Sequence, residues 1–201
     1  MENVNYYELK NNQDREIAFD NIMSCLDKRI FNVSALKHKI INNIEIETSA
    51  SIFRNLPNMI LDIWCDDLSD NYTYLHILFQ LCRIQKHPYS LELSKIYDDY
   101  LKVKENENFI FGFESKNKIY EIELKSSLYL DYNFLKPIID AVNDNDIKGK
   151  YYLLGDESME DGYSIIHLSD NEHELFVEKK IIEFSKIEYS TVESINFRLK
   201  N

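Results

Sequence analysis

The stretch FIFGFESKNKIYEIEL, Phe109–Leu124, decides the fold class. Phe109–Glu114 and Lys118–Leu124 alternate apolar and polar side chains, the period-2 pattern of half-buried strands. Ser115-Lys116-Asn117 between them supplies turn chemistry, so the stretch predicts a β-hairpin. The polar run Glu105-Asn106-Glu107-Asn108 precedes it and marks a change of texture.

Upstream of that run the apolar residues recur at helical spacing. Asn12–Ile30 places Ile17, Ile22, Met23 and Leu26 on one stripe, with Phe19 beside them. Ser34 suits the N-cap of a helix over Ala35–Asn43, and Ser49 or Ser51 opens a short helix that ends before Pro57. Pro57 at a tolerated first-turn position predicts a helix through Asn58–Cys65. Asp66–Asn71 is a turn-rich break. Tyr72–Lys86 carries Leu75, Leu78, Phe79 and Cys82 on one stripe, and His87-Pro88 ends it. Leu91–Val103 reads as one more helix, with Leu93, Ile96, Tyr97 and Tyr100 on one face.

Downstream of the hairpin, Phe134–Asn143 reads as a helix with Pro137 in its first turn. Lys150–Leu154, Tyr163–Leu168 and Glu174–Glu178 read as strands, and Ile181–Ile187 as a further one. Thr191–Leu199 fits a short helix or a strand equally. The expected class is α+β: short antiparallel N-terminal helices, then a small antiparallel sheet with one or two packed helices. The texture divides into a helical region, 1–104, and an α+β region, 105–201. The polar run between them is short enough to sit inside one compact domain.

The 201 residues include 35 acids and 23 bases, a net charge of −12. The excess is uneven: residues 1–104 hold 15 acids against 12 bases, and residues 105–201 hold 20 against 11. Nucleic acid and anionic membrane carry the same sign, so direct binding to either is disfavoured and a basic partner is favoured. Hydrophobic residues at 44 % supply a real core, and 14 Tyr and 11 Phe give it bulk. With 4 Gly in the whole chain, a glycine-rich phosphate loop is disfavoured.

No stretch reaches the roughly 18 apolar residues that span a bilayer. The N-terminus is polar and acidic, unlike a secretory signal. Cys25, Cys65 and Cys82 each sit in an apolar pattern and fit free thiols in a reducing cytoplasm. The bias toward Ile, Asn and Lys fits an AT-rich genome, such as a low-GC bacterium or its phage.

The motifs for phosphate loops, dinucleotide folds, zinc proteases, nucleophile elbows and paired-cysteine sites are absent from the sequence. Gly155–Gly162 lacks the ligand spacing and flanking helices of a calcium loop. His167 and His173 lie near Asp170, Glu172 and Glu174, but His167 shares a strand face with Ile165 and Tyr163, which suits a core histidine better than a zinc ligand. His76 and Cys82 fall about 240° apart around a helix, too far for a nucleophilic pair. Adjacent Asp66-Asp67 and Asp98-Asp99 diverge by about 100° on a helix and make no shared-proton dyad. The expectation is a protein without catalytic residues, metal or cofactor.

What remains is an acidic, tyrosine-rich surface. Asp156, Glu157, Glu160 and Asp161 crowd one loop, and Asp170, Glu172 and Glu174 crowd the next. Tyr151 and Tyr152 point to opposite faces of a strand, so one of them is available to anchor a partner. Carboxylates that pair with Lys or Arg, next to a rigid ring, suit a basic protein surface.

The segment NLPNMILDIWCDDLSDNYTYLHILFQLCRIQKHPYSLELSKIYDDYL, Asn55–Leu101, resembles helix-pair segments of bacterial toxin-immunity proteins. The shared features are an apolar helix, an Asp-Asp break and a second helix containing Leu75–Cys82. The resemblance covers under a quarter of the chain. It implies an immunity protein. Independently, many toxins that attack nucleic acid are basic because their substrate is a polyanion, so an acidic inhibitor points to a basic, nuclease-type toxin as the partner. The alternatives are a phage-encoded inhibitor of a bacterial defence nuclease (an anti-CRISPR or a charge mimic of nucleic acid) and an enzyme of unfamiliar type.

Overall fold

A computed structural model describes residues 5–6, 8–26, 32–64, 73–85, 91–127, 130–145, 149–154 and 162–184. Its elements run α1 (Asn12–Cys25), α2 (Val33–Ile41), α3 (Ser49–Asn55), β1 (Ile60–Trp64), α4 (Tyr74–Ile84), β2 (Ser94–Asp98), β3 (Asn108–Ser115), β4 (Lys118–Lys125), α5 (Leu135–Asp144), β5 (Lys150–Leu153), β6 (Gly162–Leu168) and α6 (Asp170–Glu178). The chain has an α+β fold, with two antiparallel three-stranded sheets ordered β1-β6-β5 and β2-β3-β4.

The hairpin forms where the alternation places it. Ser115 pairs with Lys118 across a two-residue turn, and Phe109 pairs with Leu124 at the other end. Lys116 and Asn117 both take positive φ, 46° and 64°, as a tight turn between right-twisted strands requires. Phe109, Phe111 and Phe113 point inward with Tyr120 and Leu124, while Ile110 and Ile119 face solvent.

The sheet β1-β6-β5 is the partition between two apolar clusters. One face presents Leu61, Ile63, Ile165 and Tyr151 to a cluster built with α4, β3, β4 and α5. The other presents Ile60, Ile166, Leu168 and Tyr152 to a cluster built with α1, α3 and α6. Strand alternation therefore serves both cores from one sheet. Each cluster takes residues from both sides of position 104.

Polar anchors fix the helices to this frame. Arg54 of α3 donates from Nη2 to Ser164 Oγ at 3.1 Å and pairs through Nε with Asp62 at 3.3 Å, while Ser164 Oγ also donates to Asp62. The Asp98 carboxylate accepts the Leu75 N–H at 2.9 Å, at the start of α4. A carboxylate there meets the otherwise unpaired amides and positive dipole end of the helix. Buried Arg15 donates from Nε to Ile41 O at 3.0 Å and from Nη1 to Ile46 O at 3.5 Å, tying α1 to the end of α2 and the following loop.

Several elements differ from the sequence expectation. Asn58–Cys65 does not form a helix. Asn58 turns with φ of 52°, and Ile60–Trp64 is a strand paired with β6. A short apolar run fits a buried strand as well as a helix, and here a distant pairing partner decides. Leu91–Val103 is the strand β2 followed by a 3₁₀ turn at Tyr100–Lys102. A bulge with Lys95 at φ of 42° shifts the β2 register, which breaks the period-2 signal and leaves a false helical spacing.

Glu174–Glu178 belongs to α6 rather than to a strand. In the Ile181–Ile187 stretch, Phe184 makes an isolated bridge to Leu154. The first helix ends at Cys25, and Asn11, Asn32 and Thr48 cap the first three helices. Asp66–Asn71, Cys65 and Thr191–Leu199 lie outside the described residues. Among the described residues no helix is long and apolar enough to cross a membrane.

Candidate partner-binding surface

β5 splits its two tyrosines as alternation requires. Tyr151 turns to the α4 side, where its hydroxyl donates to Leu81 O at 3.1 Å and accepts from Gln85 Nε2 at 2.6 Å. Burial pushes the Tyr151 phenol well above its usual range. With both hydrogen-bonding functions spent inside the fold, Tyr151 is a structural residue. This corrects its assignment as a possible anchor.

Tyr152 turns to the α6 side. The His173 imidazole lies flat against it, 4.1 Å between centroids and 7° between planes, and Phe184 packs on both rings. The Tyr152 phenol is pushed up to about 12, by burial first and then by the Asp170 and Glu174 carboxylates. Burial holds His173 below the usual histidine value, against the upward pull of Asp170 and Glu174.

α6 positions the acids. The Ser169 hydroxyl accepts the Glu172 N–H at 3.2 Å, and Glu172 Oε2 accepts the Ser169 N–H at 2.8 Å. This reciprocal cap starts the helix. It also removes Glu172 from any surface role, since Glu172 is fully buried. Glu172 as a partner-facing acid is thereby corrected. Asp170 and Glu174 are exposed, and Lys150 lies 3.7 Å from Asp170.

Helical spacing puts Asp170, His173, Glu174 and Val177 on one face. Val177 is 52 % exposed. The described surface is therefore an acidic stripe with a half-buried aromatic stack and one exposed apolar residue. Asp156, Glu157, Glu160 and Asp161 lie outside the described residues.

Sequence reasoning missed His173, Phe184 and Val177 as parts of this surface because it read Glu174–Glu178 as a strand. The signal that finds them is Ser169-x-x-Glu172, a capping box ahead of apolar residues at helical spacing.

The other chemical candidates are not brought together. His76 accepts the Thr73 N–H on Nδ1 at 3.1 Å, at the N-terminus of α4. Cys82, further along α4, has its thiol pushed up to about 12 by burial, so it is a poor nucleophile. His167 is buried in β6 with its ring edge-on to Tyr151 at 5.1 Å. Among the described residues no group of three or more His, Cys, Asp or Glu is placed to hold a metal ion.

No protein-family model, curated protein or solved structure matches the chain.

Proposed function

We propose that the protein is a non-enzymatic acidic binding protein that neutralises a basic cognate protein, as an immunity protein does with a nuclease-type toxin. The observation that supports this reading is the α6 stripe, where exposed Asp170 and Glu174 flank the Tyr152–His173 stack. A net charge of −12 steers a basic partner toward the molecule. Carboxylates on the stripe then fix orientation, and Val177 and the edge of the stack give apolar contact. In the sequence, Asp156, Glu157, Glu160 and Asp161 contribute four carboxylates to that net charge. Binding there would cover the partner's active site or block its substrate, in the cytoplasm of the producing cell.

The test is capture of the tagged protein from its native lysate at low and high salt, followed by association kinetics on the captured partner. One stoichiometric basic partner, released by salt, is expected. A secreted toxin as that partner fits the immunity reading, and a defence nuclease transfers the same surface to a phage inhibitor. Asp170→Lys with Glu174→Lys is expected to slow association by about tenfold at low ionic strength. An unchanged on-rate overturns the site, and a protein that neutralises no partner overturns the function.

A further inference from the structure

The second sheet holds a different opportunity. β4 is a terminal strand in the order β2-β3-β4. The two-residue turn makes Ser115↔Lys118 a hydrogen-bonded pair, and such pairs alternate along an antiparallel ladder. Lys118, Tyr120, Ile122 and Leu124 therefore spend their backbone groups on β3. The N–H and C=O groups of Ile119, Glu121 and Glu123 point away from β3, and among the described residues no other backbone group meets them.

This edge opens on a cleft of about 520 Å³ between β4 and α5. Its lining takes five consecutive strand residues, Lys118 to Ile122, and Lys136, Pro137, Asp140 and Asp144 from the helix. Consecutive residues belong to both faces of the strand, so the cleft runs along the strand edge and not over one face. Five strand residues span about 17 Å, the length of an ordinary short strand.

We infer that this edge is a docking site for an extended segment of a basic protein, which adds to the sheet as a fourth strand beside β4. Main-chain hydrogen bonds to Ile119, Glu121 and Glu123 supply affinity that ignores sequence, and alternate side chains supply selectivity. Those alternate side chains land opposite Glu121 and Glu123 on the outer face, next to Ile119, which is 54 % exposed. The intervening ones point toward Pro137 and Asp140. Lys118 is already paired with Asp144, which leaves Glu121, Glu123 and Asp140 to set the sign of the site, against Lys136. A strand alternating Lys or Arg with apolar residues matches it. A second copy matches it less well, since two-fold pairing centred on Glu121, the middle of the free edge, puts that carboxylate opposite itself.

The probe is the peptide acetyl-Lys-Val-Lys-Ile-Lys-Val-Lys-amide, with two controls. One carries N-methyl groups at alternate residues, which removes the donors a strand needs. The other has Glu at every Lys position. Hydrogen exchange is read amide by amide with and without peptide. The amides of Ile119, Glu121 and Glu123 are expected to slow by about tenfold or more at saturation. Both control peptides, and the variant Glu121→Lys with Glu123→Lys, are expected to lose about tenfold or more in affinity.

Binding without protection of these three amides reduces the effect to charge attraction and overturns the inference, as does an absence of binding. Protection that appears in the free protein on raising its concentration assigns the edge to a second copy and also overturns it. The inference does not rest on the α6 surface: Asp170→Lys with Glu174→Lys is expected to keep the peptide-induced protection of the Ile119, Glu121 and Glu123 amides at saturation, so the two readings fail separately.

Discussion

The imidazole of His173 lies parallel to the ring of Tyr152, 4.1 Å between centroids, on the face of the sheet that α6 covers. The groups around it are Asp170 and Glu174 on its own helix, and Lys150, Tyr152 and Phe184 from the elements packed against it. Burial dominates and holds its folded pKa below the ordinary value of about 6.5. The unfolded chain therefore binds the proton more readily. The neutral ring's contribution to stability is present above that ordinary value and is lost as pH falls below it, toward the folded value. His173→Phe keeps a ring in the stack and removes the titration. Urea midpoints at pH 7.5 and 5.5 are expected to fall further for the wild type than for the variant. Equal falls would reject the assignment.

Glu172 and Glu174 lie two positions apart on α6 and differ in role. Glu172→Ala is expected to cost about 0.5–2 kcal/mol, the worth of a helix cap. Glu172→Gln, which can still accept from Ser169, is expected to recover most of it. Glu174→Ala is expected to stay within about 0.5 kcal/mol of wild type in stability. Only Glu174 is expected to change the on-rate of a basic partner. Chemical denaturation and association kinetics on the three variants separate the roles.

Tyr74 sits inside a ring of aromatic side chains, with centroids at 5.7 Å from Tyr100, 5.4 Å from Phe109, 5.8 Å from Phe111 and 5.3 Å from Phe134. Its hydroxyl accepts the Asp131 N–H at 2.9 Å. Tyr74→Phe keeps the packing and strands that amide, for an expected loss of about 1–2 kcal/mol. Tyr74→Ala also opens a cavity, for about 3–5 kcal/mol. Urea denaturation gives both, and equal losses would contradict the separation of ring and hydroxyl.

Arg15 is buried, and its guanidinium serves backbone carbonyls and Asn12 Oδ1, at 2.6 Å from Nη2. Arg15→Met keeps a long apolar stem and leaves the Ile41 and Ile46 carbonyls short of a donor. The expected loss is about 1–3 kcal/mol, and Arg15→Lys restores only part because one ammonium cannot replace a planar fork. Hydrogen exchange over residues 42–46 is expected to rise in both variants.

Gly112 pairs with Glu121 across the β3–β4 ladder. A Cβ there would sit 2.5 Å from Tyr120 O and 2.7 Å from Glu121 Cβ. Gly112→Ala must push the strands apart and is expected to cost about 1–3 kcal/mol. The amides of Tyr120 and Ile122, bonded across the ladder, are expected to lose exchange protection.

Local pattern alone determined much of the molecule. The hairpin was legible because its alternation and its turn residues lie within one short stretch, where neighbours in sequence are neighbours in space. The same holds for α5, with Pro137 in its first turn, for the strand pattern of β5 and β6, and for the acidic excess of residues 105–201. The tertiary structure decided what depends on distant partners. Ile60–Trp64 is a strand because β6 lies beside it, and the Asp62–Ser164 contact joins residues 102 positions apart. β2 took a bulge to fit β3, which erased its period. Tyr151 and Tyr152 were placed on opposite faces by alternation, but which one was spent on the interior depended on where Leu81 and Gln85 of the α4 segment came to rest. Glu172 looked like its acidic neighbours in the sequence. Burial and the reciprocal bonds with Ser169 set it apart, because a side chain's exposure is fixed by what packs over it and not by its own chemistry.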